Sequence, residues 1–200
     1  MCIKNFIVKI FAAYLFVFIG LLGNAQTKSN KVIFIQPLGD VNPEYMEEVK
    51  SSVESFFGFS CQVKSKVEFT ADILAGSKTR YEASKILEKY HSSDYLLILT
   101  EKDIACENGD IPEWGIFGYG EITGTTCVVS TFRLKRKVSE TVFLDRLKKV
   151  ALHELGHNLG LDHCSNDSKC MMNDAKGTSK EMDNEKIWFC DKCRKQIGMK

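Results

Sequence analysis

The stretch HELGHNLGLDHC, residues 153–164, carries three of the chain's four histidines within eleven positions. His153 and His157 stand four apart in a helical pattern, so both imidazoles leave one face, one turn above the other, and can bind a single ion. Glu154 sits beside them, able to reach a water on that ion without being a ligand. Gly160 lets the backbone turn sharply and return His163 as a third ligand. Three neutral imidazoles suit a tetrahedral zinc that keeps its fourth position for water, the catalytic rather than the structural arrangement. In that reading zinc activates the water and polarises a carbonyl, and Glu154 is the general base that passes the proton to the departing amine. The competing reading is a helix end whose histidines are satisfied locally or by solvent. An HExxH arises on surface helices by chance, but the added glycine and third histidine make accident a poor explanation.

Outward from this stretch, SETVFLDRLKKVALHELGHNLG (139–160) is the longest helical pattern, with Phe143, Leu147, Val150 and Ala151 on one side. Gly160 is suited to end it in a left-handed conformation. Upstream, KVIFIQPLG (31–39) reads as a buried strand. NPEYMEEVKSSVESFFGF (42–59) reads as an amphipathic helix with Asn42 as N-cap, Pro43 at the first position and Gly58 as stop. CQVKSKVEF (61–69) alternates like a half-exposed strand, a second helix is expected from about Thr79 to Tyr90, and YLLILTEKDI (95–104) is another buried strand. This β-α-β-α-β order implies helices laid on a largely parallel sheet. ENGDIPEWGIFGYGEITG (107–124) is too glycine-rich for a central strand and suits an edge strand with loops. Its part from Trp114 to Glu121 would line a cleft and accept an extended peptide as a further strand. Its aromatics equally suit a core, a role favoured for Phe117 and left open for Trp114. TTCVVSTFRL (125–134) restores strand character.

Two hundred residues, 44% hydrophobic, suffice for one compact domain and not for two full-sized ones. The balance of 27 Lys and Arg against 26 Asp and Glu argues against a nucleic-acid partner. The local run Arg133, Lys135, Arg136, Lys137 reads as a solvated turn, with a docking patch as the alternative. Residues 1–25 differ from the rest: Lys4 and Lys9 flank the start of an apolar run, IFAAYLFVFIGLL, and Gly23 and Ala25 are small. This is a signal-peptide pattern with cleavage expected after Ala25, leaving an exported chain with no stable membrane partner; an uncleaved anchor is the alternative, although the run is short for a bilayer.

Beyond Cys2, seven cysteines remain: 61, 106, 127, 164, 170, 190 and 193. An exported chain favours disulfides, but an odd number leaves one thiol over. Cys106 and Cys127 flank the glycine-rich segment and are a possible pair. After Leu161 the tail is poor in core-formers and needs another crosslink, and it holds Cys164, Cys170, Cys190 and Cys193. Four thiolates fit a closed structural zinc, two disulfides fit the predicted export, and the CxxC at 190–193 lacks the strand-to-helix context of a redox motif. Met172 reads as a gap-filling tail residue, with Met171 beside it leaving the register open.

HELGHNLGLDHC, followed by CMM at 170–172 and CDKC at 190–193, resembles the archaemetzincin family of zinc metallopeptidases, peptidase family M54. The resemblance covers most of residues 31–197 and includes the seventeen-residue interval between Met172 and Cys190. VVSTFRL (128–134) is similar to the family's strand leading toward the active-site helix. The resemblance to this family implies two zinc ions per chain. His153, His157 and His163 would hold the catalytic one with Glu154 as general base, and Cys164, Cys170, Cys190 and Cys193 the structural one. Met172 would lie under the catalytic site and Gly160 would support the turn. The chain departs from the family pattern in its signal-like N-terminus and in the five residues, rather than four, between Cys164 and Cys170.

The expected architecture is a zincin-like α/β fold: a mixed twisted sheet, two backing helices and an active-site helix along the floor of a cleft. Residues 26–200 would form a single domain, with 31–160 as its upper part and 161–200 as a small cysteine-clamped subdomain. The expected function is peptide-bond hydrolysis by a monomer acting on peptides or proteins, as an aminopeptidase or a protease of narrow specificity. A non-catalytic zinc-binding protein of the same fold and a disulfide-stapled interaction module are the alternatives; intact Glu154 argues against the former, and no recognition motif supports the latter.

Overall fold

The first predicted strand and helix form where local signals place them. In the computed structural model, which describes residues 31–175 and 178–199, β1 (Val32–Leu38) is followed by α1 (Pro43–Phe57). Asn42 caps that helix by accepting from the Glu44 N–H, and Gly58 ends it at φ 71°. β2 (Ser60–Val63) leads through a long connection to β3 (Tyr81–Glu82), α2 (Ala83–Lys89) and β4 (Tyr95–Thr100). A hairpin of β5 (Ile104–Asn108) and β6 (Ile111–Ile116) precedes β7 (Gly118–Gly120), β8 (Thr126–Ser130), a single helical turn α3 (Thr131–Leu134) and α4 (Glu140–Asn158). The tail adds α5 (Ser179–Asn184) and α6 (Asp191–Gln196). The signal-peptide reading of residues 1–25 lies outside the described residues.

The main sheet has the order β2-β1-β4-β8-β7. Its first four strands are parallel, and β7 closes the edge antiparallel to β8, so the sheet is mixed. Alternation sorts its side chains onto two cores. Ile33, Ile35, Leu97, Leu99, Cys127 and Val129 pack with α1 and α4, whereas Leu96, Ile98 and Val128 pack with Ile86 and Leu87 of α2. The backing helices therefore lie on opposite faces, and the active-site helix shares a face with α1.

A second sheet, β3-β5-β6, stands beside the first. Asp103 ties the two together: the Arg133 guanidinium donates to both its oxygens at 2.6 and 2.9 Å, and Arg80 donates to it at 3.0 Å. A Cβ on Gly115 would overlap that guanidinium, so a larger residue there would have to move the arginine off Asp103.

The structure departs from the sequence reading in several places, the first being that the strand expected over 95–104 ends at Thr100, with Ile104 opening β5 in the other sheet. The strand expected at 61–69 stops at Val63, and only Val67 returns to the sheet, bridging Leu38. The helix expected from Thr79 starts at Ala83, because Tyr81 and Glu82 pair with Ile104 and Ala105. The strand expected through Leu134 ends at Ser130, whose hydroxyl accepts from the Phe132 N–H and starts α3. Cys106 and Cys127 do not pair: all seven described cysteines are free of disulfides.

Candidate metal centres and the cleft between them

α4 carries the first two histidines because Ser139 caps its start and its apolar face is buried along most of its length. Gly160, at φ 100°, reverses the chain, and the Leu161 N–H closes the turn on the Gly156 carbonyl at 2.9 Å. That turn brings His163 to the other two, with ring centroids 4.9 Å from His157 and 5.4 Å from His153. The three ligand atoms lie within 4.8 Å of one another.

Two ring orientations are set from behind. His153 Nδ1 meets the Met171 carbonyl at 2.7 Å and His157 Nδ1 meets the Leu161 carbonyl at 2.8 Å. A carbonyl only accepts, so each Nδ1 donates and each Nε2 keeps a lone pair for a metal. Burial, reinforced by the neighbouring His157, pushes His153 down to about 3, and burial also lowers His157. Both rings are neutral at pH 7, as ligands must be. His163 is exposed, so the cluster opens to solvent on one side.

Glu154 is buried against the edge strand. A Cβ on Gly118 would lie 2.5 Å from its Oε1, and a Cβ on Gly120 would lie 2.8 Å from its backbone carbonyl. The two glycines of β7 thus allow the strand to ride directly over the carboxylate. Burial alone pushes that carboxyl up to about 8.

The methionine register resolves into two roles. Met172 packs under α4, where Gly156 leaves room: a Cβ there would meet its Sδ at 2.6 Å. Met171 supplies the carbonyl that orients His153. The same segment reaches the tail, because the Cys164 N–H donates to the Met172 carbonyl at 2.7 Å.

The four tail cysteines gather with Sγ–Sγ separations of 3.6 Å for Cys164–Cys190 and Cys190–Cys193 and 3.9 Å for Cys170–Cys193. A disulfide needs about 2.05 Å. A tetrahedron with metal–sulfur bonds of about 2.3 Å has edges of about 3.8 Å, so the cluster fits a zinc-sized ion. Amide donors point at the sulfurs, Asn166 N–H at Cys164 and Cys190 N–H at Cys170. Burial works against ionisation at Cys190, yet hydrogen bonds from the Cys193 backbone and the neighbouring thiols bring it down to about 7. All four residues are buried. Phe189 anchors this tail in the main core, its ring 5.0 Å from Phe56.

A cleft of about 640 Å³ runs past His153, Glu154 and His163, with Trp114, Phe117 and Gly118 on one wall and Lys149, Met182 and Glu185 on the other. Phe117 is half-buried and packs on the core as expected, and it lines the cleft with Trp114. Sequence reasoning missed Gly118, Gly120 and Gly156, whose roles depend on what crosses them. It also missed Asn158, which donates to the Glu121 and Thr126 carbonyls at 3.1 and 3.2 Å and holds the helix end to the sheet. Lys149 was findable: it stands four residues before His153, a charge on the ligand face.

A helix bearing HExxH, a glycine turn that returns a third histidine and a methionine packed beneath them are the architecture of a zinc metallopeptidase. Residues 61–199 match the model of peptidase family M54, and the chain belongs to that family. It is similar to the archaemetzincin of Halobacterium salinarum (29% identical, covering 82% of this chain and 97% of the relative). The archaemetzincin of Archaeoglobus fulgidus is 32% identical, over 82% of this chain and 98% of that protein. The solved structure of the Archaeoglobus fulgidus archaemetzincin, complexed with malonate, superposes with a TM-score of 0.73 at 30% identity, over 82% of this chain and 99% of that one. The Methanopyrus kandleri archaemetzincin shares the fold, with a TM-score of 0.72 at 23% identity over 87% of this chain and 97% of that one.

Proposed function

We propose that this protein hydrolyses peptide bonds in a zinc-dependent reaction with Glu154 as general base. His153, His157 and His163 would hold one zinc ion, and Cys164, Cys170, Cys190 and Cys193 a second, structural one. When bound at the histidines, zinc supplies Lewis acidity that polarises the scissile carbonyl and brings a water's pKa from near 16 toward about 7. Glu154 takes a proton from the attacking water and returns it to the departing amine. Its burial raises its proton affinity toward the range such a relay needs. The outer edge of β7 would take the extended peptide as an added strand, with Trp114 and Phe117 behind it. The observation that carries the reading is Glu154 itself: a buried carboxylate in the cleft, next in sequence to a ligand yet outside the ligand set.

An exported, monomeric peptidase acting as an aminopeptidase or a narrow-specificity protease completes the proposal. Export is compatible with the buried thiols Cys61 and Cys127, since burial pushes Cys61 up to about 12 and Cys127 well above its ordinary value. The test is Glu154→Gln in the zinc-loaded protein. Zinc content should be unchanged while hydrolysis of a mixed peptide library falls about a thousandfold. Full hydrolysis by that variant would leave a non-enzymatic zinc protein as the better reading.

A further inference from the structure

The cleft wall opposite the edge strand carries a charge that neither metal centre uses. Glu185 follows α5 and is 8% exposed, and its Oε1 has no hydrogen-bond partner. It lines the same cleft as His153 and Glu154. A buried carboxylate oxygen without a donor is costly, so its position calls for a ligand that brings one.

The nearest cation does not meet that need. Lys149 is 4% exposed, and its ammonium donates to the Asp145 carboxylate at 2.7 Å and the Met182 carbonyl at 3.0 Å rather than to Glu185 Oε1. Burial pushes Glu185 up to about 7, Lys149 pulling the other way and Glu181 adding to the rise. The cleft wall therefore keeps an unmet acceptor at Glu185 Oε1. Lys149 precedes His153 by one helical turn, about 6 Å of rise, which puts this wall beside the reacting centre.

We propose that Glu185 is a specificity-determining residue that receives a cationic group of the substrate, an ammonium or guanidinium, close to the scissile bond. The group has two possible sources: the α-ammonium of a free N-terminus or a Lys or Arg side chain. An incoming cationic N–H donor satisfies Oε1 with a charge-assisted hydrogen bond, which an aliphatic side chain of similar size cannot do. The proposal deepens the peptidase reading and rests on it for the ligand being a peptide.

The experiment compares Glu185→Gln with the parent, both zinc-loaded, on three peptide sets: N-acetylated with Lys near the cleavage site, free N-terminus with norleucine there, and N-acetylated with norleucine. In the parent at least one cationic set should exceed the neutral set in kcat/KM by about tenfold or more, and Glu185→Gln should abolish that excess while changing kcat/KM on the neutral set far less. The set that loses its advantage identifies the source. Glu185→Asp, which keeps the charge, should retain part of the preference, separating recognition from damage to the wall. Binding of the same peptides is measured in parallel on Glu154→Gln and Glu154→Gln/Glu185→Gln proteins. Charge-selective binding that disappears with Glu185, in a parent that hydrolyses nothing, would sink the peptidase reading and keep Glu185. Hydrolysis or binding with the same charge preference in both proteins, or with none in the parent, would overturn the role of Glu185.

Discussion

The two ligand clusters meet at consecutive residues, His163 and Cys164, and differ in how they face water. The cysteine cluster is buried at all four positions, whereas the histidine cluster grades from buried His157 through half-buried His153 to exposed His163. Closed sulfur sets hold structure, and an open imidazole set leaves a position for a reactant. The division is also one of support. The cysteines clamp a tail that reaches the main core through Met171, Met172, Met182 and Phe189, while His153 and His157 ride on the most deeply packed helix of the fold.

The largest effect that would break this contrast is on stability. With both clusters loaded as proposed, Cys193→Ser should take zinc content from two to one per chain and lower the thermal midpoint by about 10 °C or more, because binding energy at a structural zinc site is folding energy. His163→Ala should also lose one zinc, with the midpoint moving far less. Equal shifts in the two variants, read by metal analysis and thermal denaturation, would erase the distinction. The clusters are nonetheless linked, since Cys164 N–H holds the Met172 carbonyl and Met171 holds His153. Cys164→Ser should therefore weaken zinc at the histidines by about tenfold in a chelator competition. Unchanged affinity would refute the coupling.

A smaller effect separates two glycines of the same short strand. The Cβ of Gly118→Ala would meet the Glu154 carboxylate, a side chain that can move, so hydrolysis should drop while stability holds. At Gly120→Ala the obstacle is the Glu154 backbone carbonyl, which cannot move without the helix. That variant should lose about 1–3 kcal/mol in denaturant unfolding. The reverse ranking would mean that β7 does not position the carboxylate.

What the sequence made legible was local. Asn42 and Gly58 bound α1 by their own chemistry, and the spacing of His153, His157, Gly160 and His163 requires a helix and a turn whatever surrounds them. The resemblance added the tail, where spacing alone left zinc and disulfides open and the sulfur separations favour a metal. One misreading is local, the Ser130 cap that turns 131–134 into a helix, and others lie where pairing is non-local. Tyr81 and Glu82 have helical neighbours but are held as a strand by Ile104 and Ala105. The β3-β5-β6 sheet is fixed by Asp103 and two arginines distant in sequence. Glu185 carried no signal, since its meaning comes from the cleft and from the engagement of Lys149.

The smallest effect concerns how the tail is pinned to the ligand helix. Arg146, buried on α4, donates to both oxygens of Asp183 on α5 at 2.7 and 2.6 Å, next to the Met182 and Glu185 wall. The hydrogen bond from Arg146 holds the Asp183 carboxyl below its ordinary 3.8, partly opposed by burial. A carboxylate lowered in the folded state stabilises fully above its unfolded pKa and ceases to do so as pH falls through its folded one. Because the Asp183 side chain is 41% exposed, the contribution is about 1 kcal/mol or less. The stability difference between the parent and Asp183→Asn should be constant from pH 7 down to about 4 and shrink toward zero below that. Amide exchange in α5 should follow the same course, while exchange around α6, held by the cysteines, should not. A pH-independent difference, or one shared equally by both helices, would mean that the cysteine clamp alone sets the position of the cleft wall.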